Sequence, residues 1–197
     1  MRVNEIFYSL QGEGYHAGTA AVFIRLSGCN LKCPFCDTDF SASEEMSVEE
    51  IVDEVCHYST KCQLVVITGG EPTLQDCVPL IDALKKNGYS VAMESNGTRR
   101  APYNRNWLTI SPKSQFIYGK AAEIQQTSCN ELKVVFDGKH DPSVFIDKIA
   151  AAHYYLQPCD TGDAQKNEEI MQKCVEYIKQ NPLWKMSLQT QKILNVR

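Results

Sequence analysis

The chain has 197 residues, of which 43% are hydrophobic and 22% charged, as in an ordinary globular protein with one domain. Its net charge of −4, without a long basic run, argues against nucleic acid as the main partner. No apolar run approaches the roughly 20 residues that span a bilayer, and residues 1–10 do not resemble a signal peptide. We therefore expect a cytoplasmic enzyme or binding protein with no membrane partner.

Short apolar runs predict six β-strands, and several are apolar throughout, as expected for strands covered on both faces. They lie at residues 20–26, 64–68, 90–94, 107–111, 132–136 and 154–157. Of the helices between them, the first begins at a capping box of Ser47 and Glu50. The second begins near Pro79 and ends at Asn87 and Gly88.

A third helix is predicted to begin at Asp141 and Pro142, and the last covers about residues 167–180. Strands that alternate with helices indicate βαβ units and a mostly parallel sheet. Six strands are too few for a closed eight-stranded barrel. The prediction is an α/β fold, a partial (β/α)6 TIM-like barrel in a single domain of residues 1–197.

Three of the nine cysteines, Cys29, Cys33 and Cys36, form a C-x3-C-x2-C pattern after the first predicted strand. Three thiolates from one loop can ligate three irons of a 4Fe-4S cluster and leave the fourth iron open. The alternative is zinc, which would require a fourth Cys or His at a paired spacing. The sequence has no second C-x2-C, and the nearest following histidine is His57, so the spacing favours a cluster.

The other six cysteines are scattered along the chain, and we expect most of them to be buried thiols. Cys56 and Cys174 fall on the apolar stripes of predicted helices, where a thiol behaves as a small core residue.

Glycine-rich or polar motifs follow the later predicted strands. They are Thr68-Gly69-Gly70-Glu71-Pro72, Glu94-Ser95-Asn96-Gly97, Ser111-Pro112-Lys113 and Gln157-Pro158-Cys159-Asp160. Each alone could be an ordinary loop. Because the carboxyl ends of parallel strands meet at one rim, the four together predict a binding site there.

Two features near the amino terminus also suggest a ligand. Gly12 and Gly14 flank Glu13, which suits either a turn that faces a small polar ligand or a plain β-turn. Arg25 stands inside an apolar strand, where a guanidinium is costly unless it is paired. Its partner is then either Glu71 or Glu94 or the carboxylate of a substrate.

The cysteine motif, placed after the first strand of a partial barrel, resembles the radical S-adenosylmethionine superfamily. The resemblance implies that S-adenosylmethionine chelates the open iron of a 4Fe-4S cluster and yields a 5′-deoxyadenosyl radical, so no side chain beyond the cofactor is predicted to be catalytic. It also implies a low-potential electron donor of the flavodoxin or ferredoxin type.

The motifs L-Q-G-E-G, F-I-R-L, C-D-T, T-G-G-E-P, E-S-N-G, S-P-K and Q-P, with the ending S-L-Q-T-Q-K, resemble the 7-carboxy-7-deazaguanine synthase family over nearly the whole chain. That family converts 6-carboxy-5,6,7,8-tetrahydropterin to 7-carboxy-7-deazaguanine with loss of ammonia, on the route to queuosine and related deazapurines. The resemblance implies a pterin substrate, a Mg²⁺ ion and a homodimer.

The same resemblance implies a role for individual residues. Those expected to contact S-adenosylmethionine are Phe35, Cys36, Asp37, Gly70, Glu71, Glu94, Asn96, Ser111, Pro112, Lys113, Gln157, Pro158, Cys159 and Asp160. Those expected to contact the substrate are Leu10, Gln11, Gly12, Glu13, Arg25, Thr68, Gln191 and Arg197. A tail of about residues 183–197 would close over the substrate, with the carboxylate of Arg197 reaching the pterin. Thr38 would ligate Mg²⁺, although a threonine there could also be a simple cap.

The chain departs from the family pattern at two points. Gln191 stands where the family has a histidine, and the segment between Thr38 and Ser47 is short. Two other functions remain open: an activating enzyme for a glycyl-radical protein, and a cysteine-rich metal-binding module without activity. Arg25 and the L-Q-G-E-G motif favour a small-molecule substrate.

Overall fold

The computed structural model describes residues 1–39, 43–58 and 61–197, and residues 40–42 of the short segment before Ser47 lie outside these ranges. Nine strands are found in the described ranges, and they form one sheet. Their bounds are β1 (Arg2–Leu10), β2 (Ala20–Leu26), β3 (Glu44–Glu45), β4 (Leu64–Gly69), β5 (Ser90–Ser95), β6 (Trp107–Ile110), β7 (Ser128–Phe136), β8 (Ala150–Pro158) and β9 (Trp184–Met186). The α-helices are α1 (Val48–Tyr58), α2 (Val78–Lys86), α3 (Ala164–Gln180) and α4 (Thr190–Leu194).

The sheet is open and mostly parallel, as the sequence predicts. Its order is β3-β1-β2-β4-β5-β6-β7-β8-β9. The six predicted strands are β2 and β4 to β8, which lie side by side in chain order and pair in parallel. The strands β1, β3 and β9 were not predicted. They extend the sheet at its two edges, with β1 antiparallel to β2 and β9 parallel to β8.

The two faces of the sheet differ in character. On the outer face, side chains such as Ile24, Ile67 and Met93 pack in a large core together with the helices. The inner, concave face begins as a smaller apolar cluster of Phe7, Ala21, Phe23, Leu64, Val66 and Ala92. Because side chains alternate along a strand, the residues two positions further on the same face are Arg25, Thr68 and Glu94. The inner face is therefore apolar near the amino ends of the parallel strands and polar near their carboxyl ends.

Several predicted helix ends are confirmed. The Ser47 amide donates to the Glu50 carboxylate at 2.7 Å, and the Glu50 amide donates to Ser47 Oγ at 3.1 Å, which is the expected capping box. The second helix, α2, stops at Asn87, and Gly88 follows with φ +88°. The last long helix, α3, begins earlier than predicted because Asp163 caps the amide of Lys166 at 3.2 Å.

The helix predicted at Asp141 is wrong. The segment forms only a short 3-10 turn, Pro142–Phe145, in which the Ile146 amide donates to the Ser143 carbonyl three residues back at 2.9 Å, and β8 then begins at Ala150. Both β7 and β8 are longer than predicted and pair from Ser128 to Phe136. Cys174 is buried as expected, whereas Cys56 is exposed. No helix within the described ranges is long and apolar enough to cross a membrane.

Leu84 tests the contribution of the outer core. This side chain of α2 is 0% exposed, so Leu84→Ala should leave a cavity and lower the free energy of unfolding by about 2–5 kcal/mol. Urea unfolding of the cluster-free protein under reducing conditions measures the loss. Leu183, which is 52% exposed, supplies the control, and Leu183→Ala should change stability by about 0.5 kcal/mol or less. Equal losses in the two variants would contradict the packing described.

Candidate active site

A cavity of about 920 Å³ opens on the concave face at the carboxyl ends of the parallel strands. It brings together nearly all of the residues that the sequence singles out. Those that line it are Leu10, Gln11, Gly12, Glu13, Arg25, Cys29, Cys33, Phe35, Cys36, Asp37, Thr38, Thr68, Gly70, Glu94, Asn96, Ser111, Lys113, Gln157, Pro158, Cys159, Asp160, Gln191 and Arg197. Among the described residues, Glu71 and Pro112 are predicted site residues that do not line it.

The loop after β2, which carries the three cysteines, is held by the loop after β4. The amide of Gly70 donates to the carbonyl of Leu26 at 3.1 Å, and the amide of Glu71 donates to the carbonyl of Gly28 at 2.9 Å. A Cβ at position 70 would lie 2.1 Å from the Gly28 carbonyl oxygen, so glycine is required for this close approach. The two motifs thus form one packed unit.

Glu71 stabilises this unit from the side that faces away from the cavity. Its side chain is buried, and its carboxylate accepts hydrogen bonds from Ser95 Oγ at 2.8 Å, from the Asn96 amide at 2.7 Å and from the Thr73 amide at 3.0 Å. The carboxylate therefore ties the loop after β4 to the loop after β5, instead of facing the cavity.

The cysteines share their end of the cavity with Lys113, a half-buried lysine. Burial raises the pKa of both Cys29 and Cys33 above the ordinary thiol value. Burial also lowers the pKa of Lys113 to about 8, although the charge of Cys33 opposes this shift. The Lys113 ammonium donates to the carbonyl and the hydroxyl of Ser111, at 2.7 and 2.6 Å.

A second lysine at the cavity, the buried Lys133 on β7, was not predicted from the sequence. Its ammonium lies 2.7 Å from Glu13 Oε2 and 3.6 Å from Glu94 Oε1. Burial alone would lower its pKa, but Glu13, Glu94 and Glu131 together raise it. The signal was present in the sequence, because Lys133 interrupts an apolar strand in the same way as Arg25.

Glu13 joins the amino-terminal loop to the tail of the chain. Burial would raise its pKa, but the Lys133 ammonium outweighs burial and the pKa falls to about 2. Glu13 Oε1 also accepts from Gln189 Nε2 at 3.1 Å and from Gln191 Nε2 at 3.0 Å. Gln191, which replaces the histidine of the family pattern, therefore binds a carboxylate at the edge of the cavity.

The tail contacts three loops around the cavity. Thr190 donates through its amide and its hydroxyl to the Gly12 carbonyl, at 3.1 and 2.8 Å. The ammonium of Lys192 lies 2.6 Å from Asp160 and 3.5 Å from Asp37, and its hydrogen bond lowers the pKa of Asp160 to about 2. Residues 189–192 thus bridge the loops that follow β1, β2 and β8.

The partner of Arg25 is neither of the two acidic residues considered from the sequence. Its Nε donates to Glu5 Oε1 at 2.8 Å, so the alternative of a pair with Glu71 or Glu94 is wrong. Glu94 instead accepts from Gln11 Nε2 at 3.0 Å and from Thr68 Oγ1 at 3.5 Å. The structure thereby places Glu94, predicted to face the cofactor, beside two residues that were predicted to face the substrate.

Comparison with known proteins gives consistent results. A family model described as the radical SAM superfamily matches residues 23–114. A 7-carboxy-7-deazaguanine synthase of Bacteroides thetaiotaomicron is 43% identical over 196 residues, covering 100% of this chain and 98% of the relative. One from Haemophilus influenzae is 35% identical and covers 98% and 92%. A crystal structure of QueE from Escherichia coli is similar with a TM-score of 0.72 and 30% identity, covering 95% of this chain and 92% of that one.

The open parallel sheet and the three cysteines at its rim define a radical SAM enzyme, a class that uses a 4Fe-4S cluster and S-adenosylmethionine. Within this superfamily, the chain belongs to the 7-carboxy-7-deazaguanine synthase family.

The residues present fit a cluster of this kind. The thiols of Cys29, Cys33 and Cys36 line one cavity and come from a single loop, as three ligands of a cubane cluster require. In the described part of the chain, no group of three or more His, Cys, Asp and Glu side chains is placed to hold a metal ion. A cubane does not need such a group, because three of its four irons each take a separate thiolate.

Glu131, two residues before Lys133, gives the site region a pH-dependent stability. Burial raises its pKa from 4.5 to about 7, although Lys133 opposes the shift. Since the folded state holds this proton more tightly than the unfolded state, stability falls as the pH rises from about 4.5 to about 7. Over that interval the loss is at most about 3 kcal/mol.

Glu131→Gln should abolish this loss, because a glutamine stays neutral and can still accept from the Tyr15 amide. The variant should match the wild type at pH 5 and be more stable at pH 8, measured by urea unfolding at both pH values. The exposed Glu169→Gln serves as the control and should show no such difference. A stability difference that is the same at both pH values would contradict the assignment.

Proposed function

We propose that this protein converts 6-carboxy-5,6,7,8-tetrahydropterin to 7-carboxy-7-deazaguanine with release of ammonia. The observation that carries the proposal is that the cysteine loop and Arg25 open onto one cavity. The volume of this cavity, about 920 Å³, lies within the range of about 300–1,000 Å³ that is usual for small-molecule sites. Relatives with this activity in their names match along the whole chain.

The cavity has one end suited to the cofactor and another suited to the substrate. At the cofactor end, the space proposed for S-adenosylmethionine is lined by the cysteine loop, Gly70, Ser111 and the loop after β8. When bound, the cluster and S-adenosylmethionine supply the radical that starts the reaction. This chain's residues hold the two small molecules next to each other and keep other reactive groups away.

At the other end, polar side chains suit the substrate. The Arg25 guanidinium matches the carboxylate of the pterin in charge and shape. Gln11, Thr68 and Glu94 form a connected set of donors and acceptors that suits the polar edge of a pterin ring. The tail, anchored on Glu13, covers this end and limits the access of water.

Further parts of the proposal concern partners that the chain would need. Thr38 lines the cavity beside the last cysteine, and its hydroxyl is a hard oxygen ligand suited to Mg²⁺. A flavodoxin or ferredoxin would supply electrons, two chains would form a homodimer, and the enzyme would work in the cytoplasm. The product would enter the route to queuosine or another deazapurine.

Product formation is the direct test. The anaerobically reconstituted protein, reduced with dithionite and given S-adenosylmethionine, Mg²⁺ and the carboxytetrahydropterin, should release ammonia and form the deazaguanine chromophore in equal amounts. Absorbance and an enzymatic ammonia assay measure both. An intact cluster that cleaves S-adenosylmethionine without forming either product would overturn the substrate assignment. In that case an activating enzyme for a glycyl-radical protein becomes the better hypothesis. Zinc without sulfide in the purified protein would favour the metal-binding module.

Arg25→Ala should weaken pterin binding by about 10- to 150-fold, because a hydrogen bond to a charged partner contributes about 1.5–3 kcal/mol. Cluster content and slow cleavage of S-adenosylmethionine should persist. Iron and sulfide analysis, with titration of the pterin, separates the two effects. Loss of the cluster in this variant would show that Arg25 acts structurally instead.

Thr38→Ala should raise the Mg²⁺ concentration needed for half-maximal activity by about tenfold, since one of few protein oxygen ligands is removed. Thr38→Ser keeps the hydroxyl and is the matched control, which should stay within about threefold of the wild type. If both variants respond to Mg²⁺ like the wild type, Thr38 is not a ligand.

A further inference from the structure

Arg25 has a protein partner that no motif of the sequence indicated. Glu5 on β1 lies directly opposite Arg25 on β2, and Glu5 Oε1 accepts from Arg25 Nε at 2.8 Å. Both side chains are mostly shielded from solvent, at 21% exposed for Arg25 and 24% for Glu5. Within the described part of the chain, this is the ion pair that Arg25 makes.

An irregularity in β1 turns Glu5 towards the inner face of the sheet, beside Arg25. The register between β1 and β2 shifts between Val3 and Glu5, which is the signature of a β-bulge. Val3 packs in the outer core, whereas Phe7 belongs to the inner apolar cluster. In a regular strand, residues 3, 5 and 7 would share one face. The bulge therefore lets Val3 fill the core while Glu5 faces inwards beside Arg25.

The contacts leave one edge of the Arg25 guanidinium for a ligand. Glu5 uses Nε, which leaves the two terminal nitrogens as a pair that can bind a carboxylate end-on in the bidentate manner. The Arg25 guanidinium carbon also lies 5.7 Å from the centre of the Phe7 ring, which restricts its rotation. Arg25 thus has a fixed orientation before any ligand arrives.

The second oxygen of Glu5 binds a residue of the tail. It accepts from Arg197 Nη2, and the Arg197 guanidinium carbon lies 5.2 Å from the centre of the same Phe7 ring. Glu5 therefore connects the two guanidinium groups at this end of the cavity.

We infer that Glu5 is a positioning residue for the substrate: it holds Arg25 through Nε, so that the terminal nitrogens of Arg25 face a carboxylate in the cavity. This inference rests on the proposed function and deepens it. Glu5 does not touch the substrate. Its effect passes through Arg25, and it should therefore change substrate binding far more than the rate of the chemical steps.

The test compares two variants of Glu5 in the full-length holoenzyme. Glu5→Met keeps the length of the side chain but removes both acceptor oxygens, and should raise KM for the carboxytetrahydropterin about tenfold or more. Its kcat should stay within about threefold. Glu5→Gln retains an acceptor for Nε and should raise KM by about threefold or less. Glu168→Met, at an exposed glutamate on α3, controls for the substitution itself.

Equilibrium titration of the pterin without reductant supplies a readout that does not depend on turnover. In the Arg25→Ala background, Glu5→Met should weaken binding by less than about twofold further, because the residue that it positions is gone. A full tenfold loss in that background would overturn the inference. So would tighter binding by Glu5→Met alone, since Glu5 would then compete with the substrate for Arg25.

The outcomes separate this inference from the proposed function. If the wild type binds and converts the pterin but Glu5→Met behaves like the control, only the role of Glu5 is overturned. If the wild type with an intact cluster neither binds nor converts the pterin, the proposed function fails and this inference fails with it.

Discussion

The ion pair between Lys133 and Glu13 joins parts of the chain that are far apart in sequence. Lys133 belongs to a central strand of the parallel sheet, whereas Glu13 lies in the loop between β1 and β2. The same carboxylate accepts from Gln189 and Gln191 of the tail. Without the ammonium, the largely shielded Glu13 carboxylate would lack its counter-charge, which would weaken this link between the loop and the tail. The hydrogen bonds of Thr190 to Gly12 and the ion pairs of Lys192 are further contacts that hold the tail beside the cavity.

The parallel arrangement of the strands explains how a small chain assembles so many polar groups in one place. The strands β2, β4 and β5 each contribute apolar residues at the beginning and a polar residue near the carboxyl end, on the same inner face. Neighbouring strands in register then place Arg25 beside Thr68, and Glu94 beside Thr109. The outer face is meanwhile filled by the helices and carries most of the hydrophobic core.

The fold and the rim of the site were largely predictable from the sequence. Continuous apolar strands and well-marked helix caps revealed the parallel sheet, and the cysteine motif located the rim. The strand β1 was missed because its polar residues alternate irregularly around a bulge. The pairing of Arg25 with Glu5 could not be found, since it depends on that bulge. Lys133 could have been found by the reasoning applied to Arg25, because both interrupt an apolar strand.

The packing of Gly70 against Gly28 has a consequence for how the enzyme matures. The backbone hydrogen bonds that fix the base of the cysteine loop come from β4 and require no metal. In zinc fingers, by contrast, metal binding drives folding of a chain that is unfolded without it. Here the sheet can assemble without the cluster, so that iron and sulfide are delivered to a loop whose ends are already in place. An iron-starved cell would accordingly accumulate a folded apoprotein that awaits its cluster.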